Sequence, residues 1–172
     1  MKRWTLLCGC LFISLLCFSQ SFPQSWCGSW KGELFWYQGA GKEPKTVHME
    51  LRIGATDSAH RFSWQLIYGS AAADIRPYEL IAKDTAKGHW VIDEKNGIFL
   101  DQYWMAGRLS GVFTVQQSTI INHYWMQDGE LHAEFCTIGA RPIATTGKGD
   151  EESPLVDSYQ VKGYQKAVLR RE

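Results

Sequence analysis

Residues 46–53 read Thr-Val-His-Met-Glu-Leu-Arg-Ile, with polar and apolar side chains in strict alternation. Neighbouring side chains of a pleated strand point to opposite faces, so Val47, Met49, Leu51 and Ile53 share a buried face while Thr46, His48, Glu50 and Arg52 share a wet one. The same rhythm returns in Arg61–Tyr68, where Phe62, Trp64, Leu66 and Tyr68 form an aromatic inner face. No stretch carries the 3.6-residue period of a capped helix over about ten residues. Such a chain folds as sheet.

Turn chemistry roughly every eight to twelve residues divides the sequence into strands. Ten are expected, at about Trp30–Gln38, Thr46–Ile53, Arg61–Tyr68, Ile75–Lys83, His89–Asp93, Ile98–Trp104, Arg108–Gln116, Thr119–Met126, Glu130–Ile138 and Val156–Leu169. Asn96-Gly97 and Asp128-Gly129 are tight-hairpin signals. Residues 140–154, with Gly147, Gly149, Asp150, Glu151, Glu152 and Pro154, have no apolar period and read as a mobile loop. Consecutive hairpins make a meander, and closing a meander removes its exposed edges. The expectation is an all-β protein, a single antiparallel meander β-barrel of about ten strands.

At 172 residues the chain suits one domain. Eighteen Lys and Arg balance eighteen Asp and Glu, so no basic field is present to attract nucleic acid. Aromatic residues reach 13%, with eight Trp, a density of large rings that calls for an interior to hold them. Lys2 and Arg3 precede an apolar run, Trp4–Phe18, and Ser19 and Ser21 supply the small residues of a cleavage site after Ser21. The run is shorter than the roughly 20 residues of a membrane-spanning helix. Residues 1–21 therefore read as a cleaved signal peptide, 22–172 as the mature domain, and the destination as secreted or periplasmic. Cleavage leaves Cys27 and Cys136 in an oxidising compartment, either as a disulfide or as two separate buried thiols.

The first strand opens with Cys27-Gly28-Ser29-Trp30-Lys31-Gly32-Glu33-Leu34. This Gly-x-Trp element at the head of a meander resembles the calycin superfamily of barrels, which includes lipocalins, fatty-acid-binding proteins and avidins. Its Gly-x-Trp-x-Gly form also resembles the ten-stranded nitrobindin-like barrels. The resemblance implies that Trp30 plugs the narrow end of the barrel, that Gly28 lets the chain cross beneath it, and that the interior holds a small, mostly apolar ligand.

Carrying the parity of Phe62–Tyr68 forward places Arg76 and Tyr78 inside. There the guanidinium either clamps a ligand carboxylate or pairs with Asp74 at the rim. Trp64, Tyr68, Tyr78, Phe113, Tyr124 and Phe135 either line an apolar pocket or simply fill the barrel. Trp64, Tyr68, Arg76, Tyr78, Phe113 and Tyr124 are the candidate ligand contacts. The five histidines lack metal-ligand spacing, although His123 offers a haem ligand if its face turns inward. Asp93-Glu94 and Glu151-Glu152 cannot work as acid–base pairs, because adjacent strand residues face opposite ways and the second pair lies in a loop. No catalytic residue, metal or cofactor is implied.

The expected function is an exported, non-enzymatic barrel binding a small apolar or acidic-apolar molecule, with no nucleic-acid partner and no membrane span. The alternative is a filled barrel whose exposed rings, such as Tyr103 or Trp125, dock onto a protein or cell-envelope partner. A haem-binding barrel is a weaker third reading.

Overall fold

A computed structural model describes residues 22–39, 41–69 and 74–172; the expected leader at 1–21 lies outside the described residues. A 3-10 turn at Gln24–Trp26 leads into β1 (Gly28–Tyr37), β2 (Lys45–Ala55), β3 (Arg61–Tyr68), β4 (Asp74–Asp84), β5 (His89–Asp93), β6 (Phe99–Met105), β7 (Arg108–Val115), β8 (Ser118–Gln127) and β9 (Glu130–Gly139). The chain continues through β10 (Ala144–Thr146), β11 (Val156–Ser158) and β12 (Val161–Arg171).

Ten strands close into an antiparallel barrel in the order β1-β12-β9-β8-β7-β6-β5-β4-β3-β2. Nine neighbours in sequence are neighbours in space, as a meander requires. Closure comes from β1, whose Leu34 stands opposite Val47 of β2 on one side and Ala167 of β12 on the other. The two-residue rhythm therefore did specify both the sheet and its wrapping.

The structure departs from expectation at two places. The tail expected as one strand from Val156 is two, and the segment expected as a loop contains β10, which pairs with β11 as a small ribbon outside the barrel. Thr145 Oγ1 donates to Asp157 across this ribbon, and Ser153 N donates to Asp150 Oδ1 (2.7 Å) at its tip. Strands of three residues leave no period to read in sequence. In the hairpin after β5, the left-handed positions fall on Lys95 and Gly97. Asn96 instead uses its side-chain oxygen to accept from Ile98 N at 3.0 Å.

Inward parity decides the core. Trp30, Met49, Leu51, Trp64, Leu80, Leu109, Leu131 and Leu169 are essentially inaccessible and fill the end of the barrel nearest the chain's first turn. That end is closed by rings. Trp30 Nε1 donates to Trp26 O at 2.8 Å, Phe22 stacks on Trp104 at 4.1 Å, and Phe22 also meets Trp90 edge-on at 5.2 Å. The Arg171 guanidinium lies 4.5 Å over the Trp30 ring and donates to Ser25 O at 3.1 Å, tying the last strand to the entering chain. Gly28 turns there with φ 147°, a conformation that side-chain-bearing residues rarely adopt.

The disulfide reading is overturned: Cys27 and Cys136 are both free. β12 lies between β1 and β9, so the first and ninth strands never touch. Cys136 is moreover level with Tyr164, which is itself level with Tyr37. Tyr37 is ten residues along the chain from Cys27, roughly 30 Å at strand rise.

The outer face carries ion pairs such as Arg61–Glu79 and Arg170–Glu130 alongside exposed apolar side chains such as Phe35, Val112 and Val168. Among the described residues no helix is long and apolar enough to cross a membrane. Glu50 is the notable outer group, a carboxylate only 2% exposed. It accepts from Ser29 Oγ (2.8 Å) and from Arg52 Nε, with Lys31 Nζ at 3.8 Å. Burial pushes its carboxyl up, but the hydrogen bonds from Arg52 and Ser29 and the nearby positive charges outweigh burial and leave it below its ordinary value of 4.5.

A carboxyl whose folded pKa is depressed contributes stability above its unfolded value and loses it as pH falls through the folded value. Glu50→Ala is therefore expected to cost about 2 kcal/mol at neutral pH and progressively less in acid. Urea denaturation of both proteins across that range checks it; a pH-independent cost would contradict the assignment.

Candidate functional site

The half of the barrel away from the ring-closed end is not filled. It holds a cavity of about 190 Å³. β3 and β4 bring Leu66, Tyr68, Arg76 and Tyr78 to its wall, β5, the turn after it and β6 bring Ile92, Glu94, Leu100 and Gln102, β7 to β9 bring Phe113, Ile120, Asn122, Tyr124, Phe135 and Thr137, and β12 brings Gln165.

Five of the six candidate contacts thus converge on one space: Tyr68, Arg76, Tyr78, Phe113 and Tyr124. The sixth, Trp64, is corrected. It is fully buried one inward layer nearer the closed end, packing edge-on against Tyr124 with ring centroids 5.2 Å apart. It supports the wall without forming it. Phe135 also packs against Tyr124 in a T-shaped contact, with ring centroids 5.7 Å apart.

Arg76 sits at the rim, about half exposed like its partner Asp74. Its Nε donates to Asp74 Oδ1 (3.0 Å) and its NH2 to Asp74 Oδ2 (2.8 Å), a bidentate fork that uses both carboxylate oxygens. Of the two readings of Arg76, pairing with Asp74 is therefore the one the structure shows, on the Nε and NH2 side of the guanidinium. The hydrogen bond from Arg76 lowers the Asp74 carboxyl, and Asp74 raises the guanidinium in return. The guanidinium also lies 5.0 Å over the Tyr68 ring.

The phenols keep their protons. Burial pushes Tyr68 up to about 12 against the pull of Arg76, and burial drives Tyr124 well above its ordinary value. Tyr78 is raised by burial and by the Glu94 carboxylate, with Arg76 tempering the rise. The Trp64 indole N–H is near enough to the Tyr124 oxygen to temper that phenol's rise, yet it is buried without a completed hydrogen bond.

Gln102 was missed in sequence, and Asn122, on the face that competes for the interior, was given no role there. Both are buried, and they face each other across β7: Asn122 Nδ2 donates to Gln102 Oε1 at 2.8 Å, and Gln102 Nε2 approaches Asn122 Oδ1 at 3.4 Å. The bridge exists because Gly111 stands opposite both residues on the intervening strand. A Cβ there would overlap the Gln102 amide. A lone glycine inside a strand pattern marks close approach of another group, and this was the legible signal.

The other candidates do not meet here. His123 faces outward, its Nδ1 2.7 Å from Ser110 Oγ, which removes it as an interior haem ligand. The exposed rings proposed for docking already have neighbours: Tyr103 stacks on His89 at 5.0 Å, and Trp125 lies between His132 at 5.0 Å and the Arg108 guanidinium at 4.3 Å. Gly28 and Trp30 sit at the closed end, away from the cavity.

Gly111→Ala is expected to push the Gln102 amide off Asn122 and to cost about 1–3 kcal/mol, the penalty of leaving buried polar groups unpaired. Chemical denaturation reads the loss, and the double change Gly111→Ala with Gln102→Ala should recover part of it. No recovery would mean that the glycine serves the backbone alone.

No protein-family model matches the chain, and no curated protein matches it in sequence. Among solved structures it is similar to a protein of unknown function of the DUF3598 family from Nostoc punctiforme, with a TM-score of 0.58 and 11% identity over 85% of this chain and 47% of that one. The chain thus spans about half the length of that structure, and at this identity the likeness is one of fold.

Proposed function

We propose that the chain is an exported, non-enzymatic barrel of calycin-like form that holds a small, mostly apolar molecule. The observation that carries this reading is the cavity of about 190 Å³, set in a barrel whose other half is packed solid. Apolar walls with a few convergent polar groups are the usual make-up of a small-molecule site. An engineered apolar cavity of roughly 150 Å³ in another protein admits benzene, so this one suits a single ring with a short substituent. The Gly28-Ser29-Trp30 start and the ten-strand meander support the calycin-like reading.

Export is supported by Lys2, Arg3 and the apolar run that follows them. Lack of enzymatic activity is supported by the pairing of Arg76 with Asp74 and of Gln102 with Asn122, and by phenols that hold their protons. These groups suit positioning more than proton transfer.

Titration with benzene followed by amide NMR shifts is the test. Shifts should cluster at Leu66, Leu100 and Phe113 and vanish in Ile120→Trp, which fills the space. Shifts absent from the wild type, or scattered over the outer face, would overturn the proposal.

A further inference from the structure

We infer that the cavity takes a neutral, single-ring molecule carrying a hydrogen-bond-accepting oxygen, as in an aryl ketone, and rejects the corresponding carboxylate. The inference rests on the ligand-binding reading above and narrows it.

Charge is the first reason. Among the described residues the one cation on the cavity wall is Arg76, and its Nε and Nη2 already serve Asp74. Glu94 places a carboxylate on the wall itself. An anionic ligand would find only the Nη1 side of a guanidinium whose charge Asp74 already balances, in a site whose wall also carries Glu94. Burying a like charge beside existing ones is costly, and Asp74, tethered on the same strand as Arg76, competes at high effective concentration.

The second reason is the set of protons left over. Tyr124 lies in the cavity wall, held edge-on against Trp64. Among the described residues neither Tyr124 nor Tyr68 donates to a protein acceptor, in contrast to Tyr164, whose hydroxyl donates to Glu134 Oε1 at 2.6 Å on the outer face. A primary amide carries two N–H groups. The Gln102–Asn122 pair engages one on each side and leaves one on each. An oxygen that accepts from Tyr124 or from the amide pair would meet a donor that no protein acceptor among the described residues occupies.

The third reason is shape. Leu66, Ile92, Leu100, Phe113 and Ile120 surround the rest of the space with aliphatic and aromatic surface, which fits a ring and leaves the accepting oxygen at the polar side.

Calorimetric titration of the full chain with three probes of matched size tests this: acetophenone, ethylbenzene and benzoate. Acetophenone is expected to bind at least about tenfold more tightly than ethylbenzene, the worth of one buried hydrogen bond, and benzoate to bind most weakly. Tyr124→Phe should weaken acetophenone about tenfold while leaving ethylbenzene unchanged. The rim substitution Asp74→Asn, which does not touch the core, should raise benzoate affinity by freeing Arg76.

Equal binding of acetophenone and ethylbenzene overturns the acceptor assignment, and benzoate binding tightest in the wild type overturns the charge argument; in both cases the cavity reading stands. If none of the three binds, the cavity reading fails and this inference fails with it.

Discussion

The structure depends on one strand being paired twice. β1 bonds to β2 along one edge and to β12 along the other, so Leu34 has Val47 and Ala167 as its two cross-strand neighbours. Without that second ladder the sheet would be open, with β1 and β12 as raw edges and no enclosed volume. Arg171 reinforces the seam from the end of β12, lying over Trp30 and reaching the carbonyl of Ser25. Inside and outside are defined by this seam, and every argument about the site assumes an inside.

Within the enclosure, side-chain volume is distributed unevenly. The closed end collects Trp26, Trp30, Trp64, Trp90 and Phe62, while the far half carries small inward residues at Gly111 and Gly163 and polar ones at Gln102, Asn122 and Thr137. The two halves thus differ in kind: one is packed with rings, and the other encloses the cavity.

Alternation along Thr46–Ile53 and Arg61–Tyr68 made the fold legible, because period two is the only rhythm in the chain and its apolar face has one place to go. It also carried Arg76 and Tyr78 to the interior, since parity propagates across each antiparallel pair: Trp64 opposite Tyr78, Leu66 opposite Arg76. Parity does not say how far along the barrel a residue sits. Trp64 was therefore grouped with Tyr68 although it lies a layer deeper, and Cys27 and Cys136 were paired in thought across a gap that β12 fills. Nor does parity distinguish a polar residue that faces inward by design from one that marks a strand's wet side. Gln102 and Asn122 went unread for that reason, and only Gly111, an otherwise costly residue in mid-strand, pointed to them.

The seam has one more consequence. Because β12 is wedged between β1 and β9, a polypeptide emerging N-terminus first carries nine strands past the point of emergence with two unsatisfied borders. Only the arrival of Val161–Arg171 satisfies both at once. Assembly of this barrel is therefore a race between that last segment and any other β-edge within reach, and crowding or stalled passage would favour the intruder.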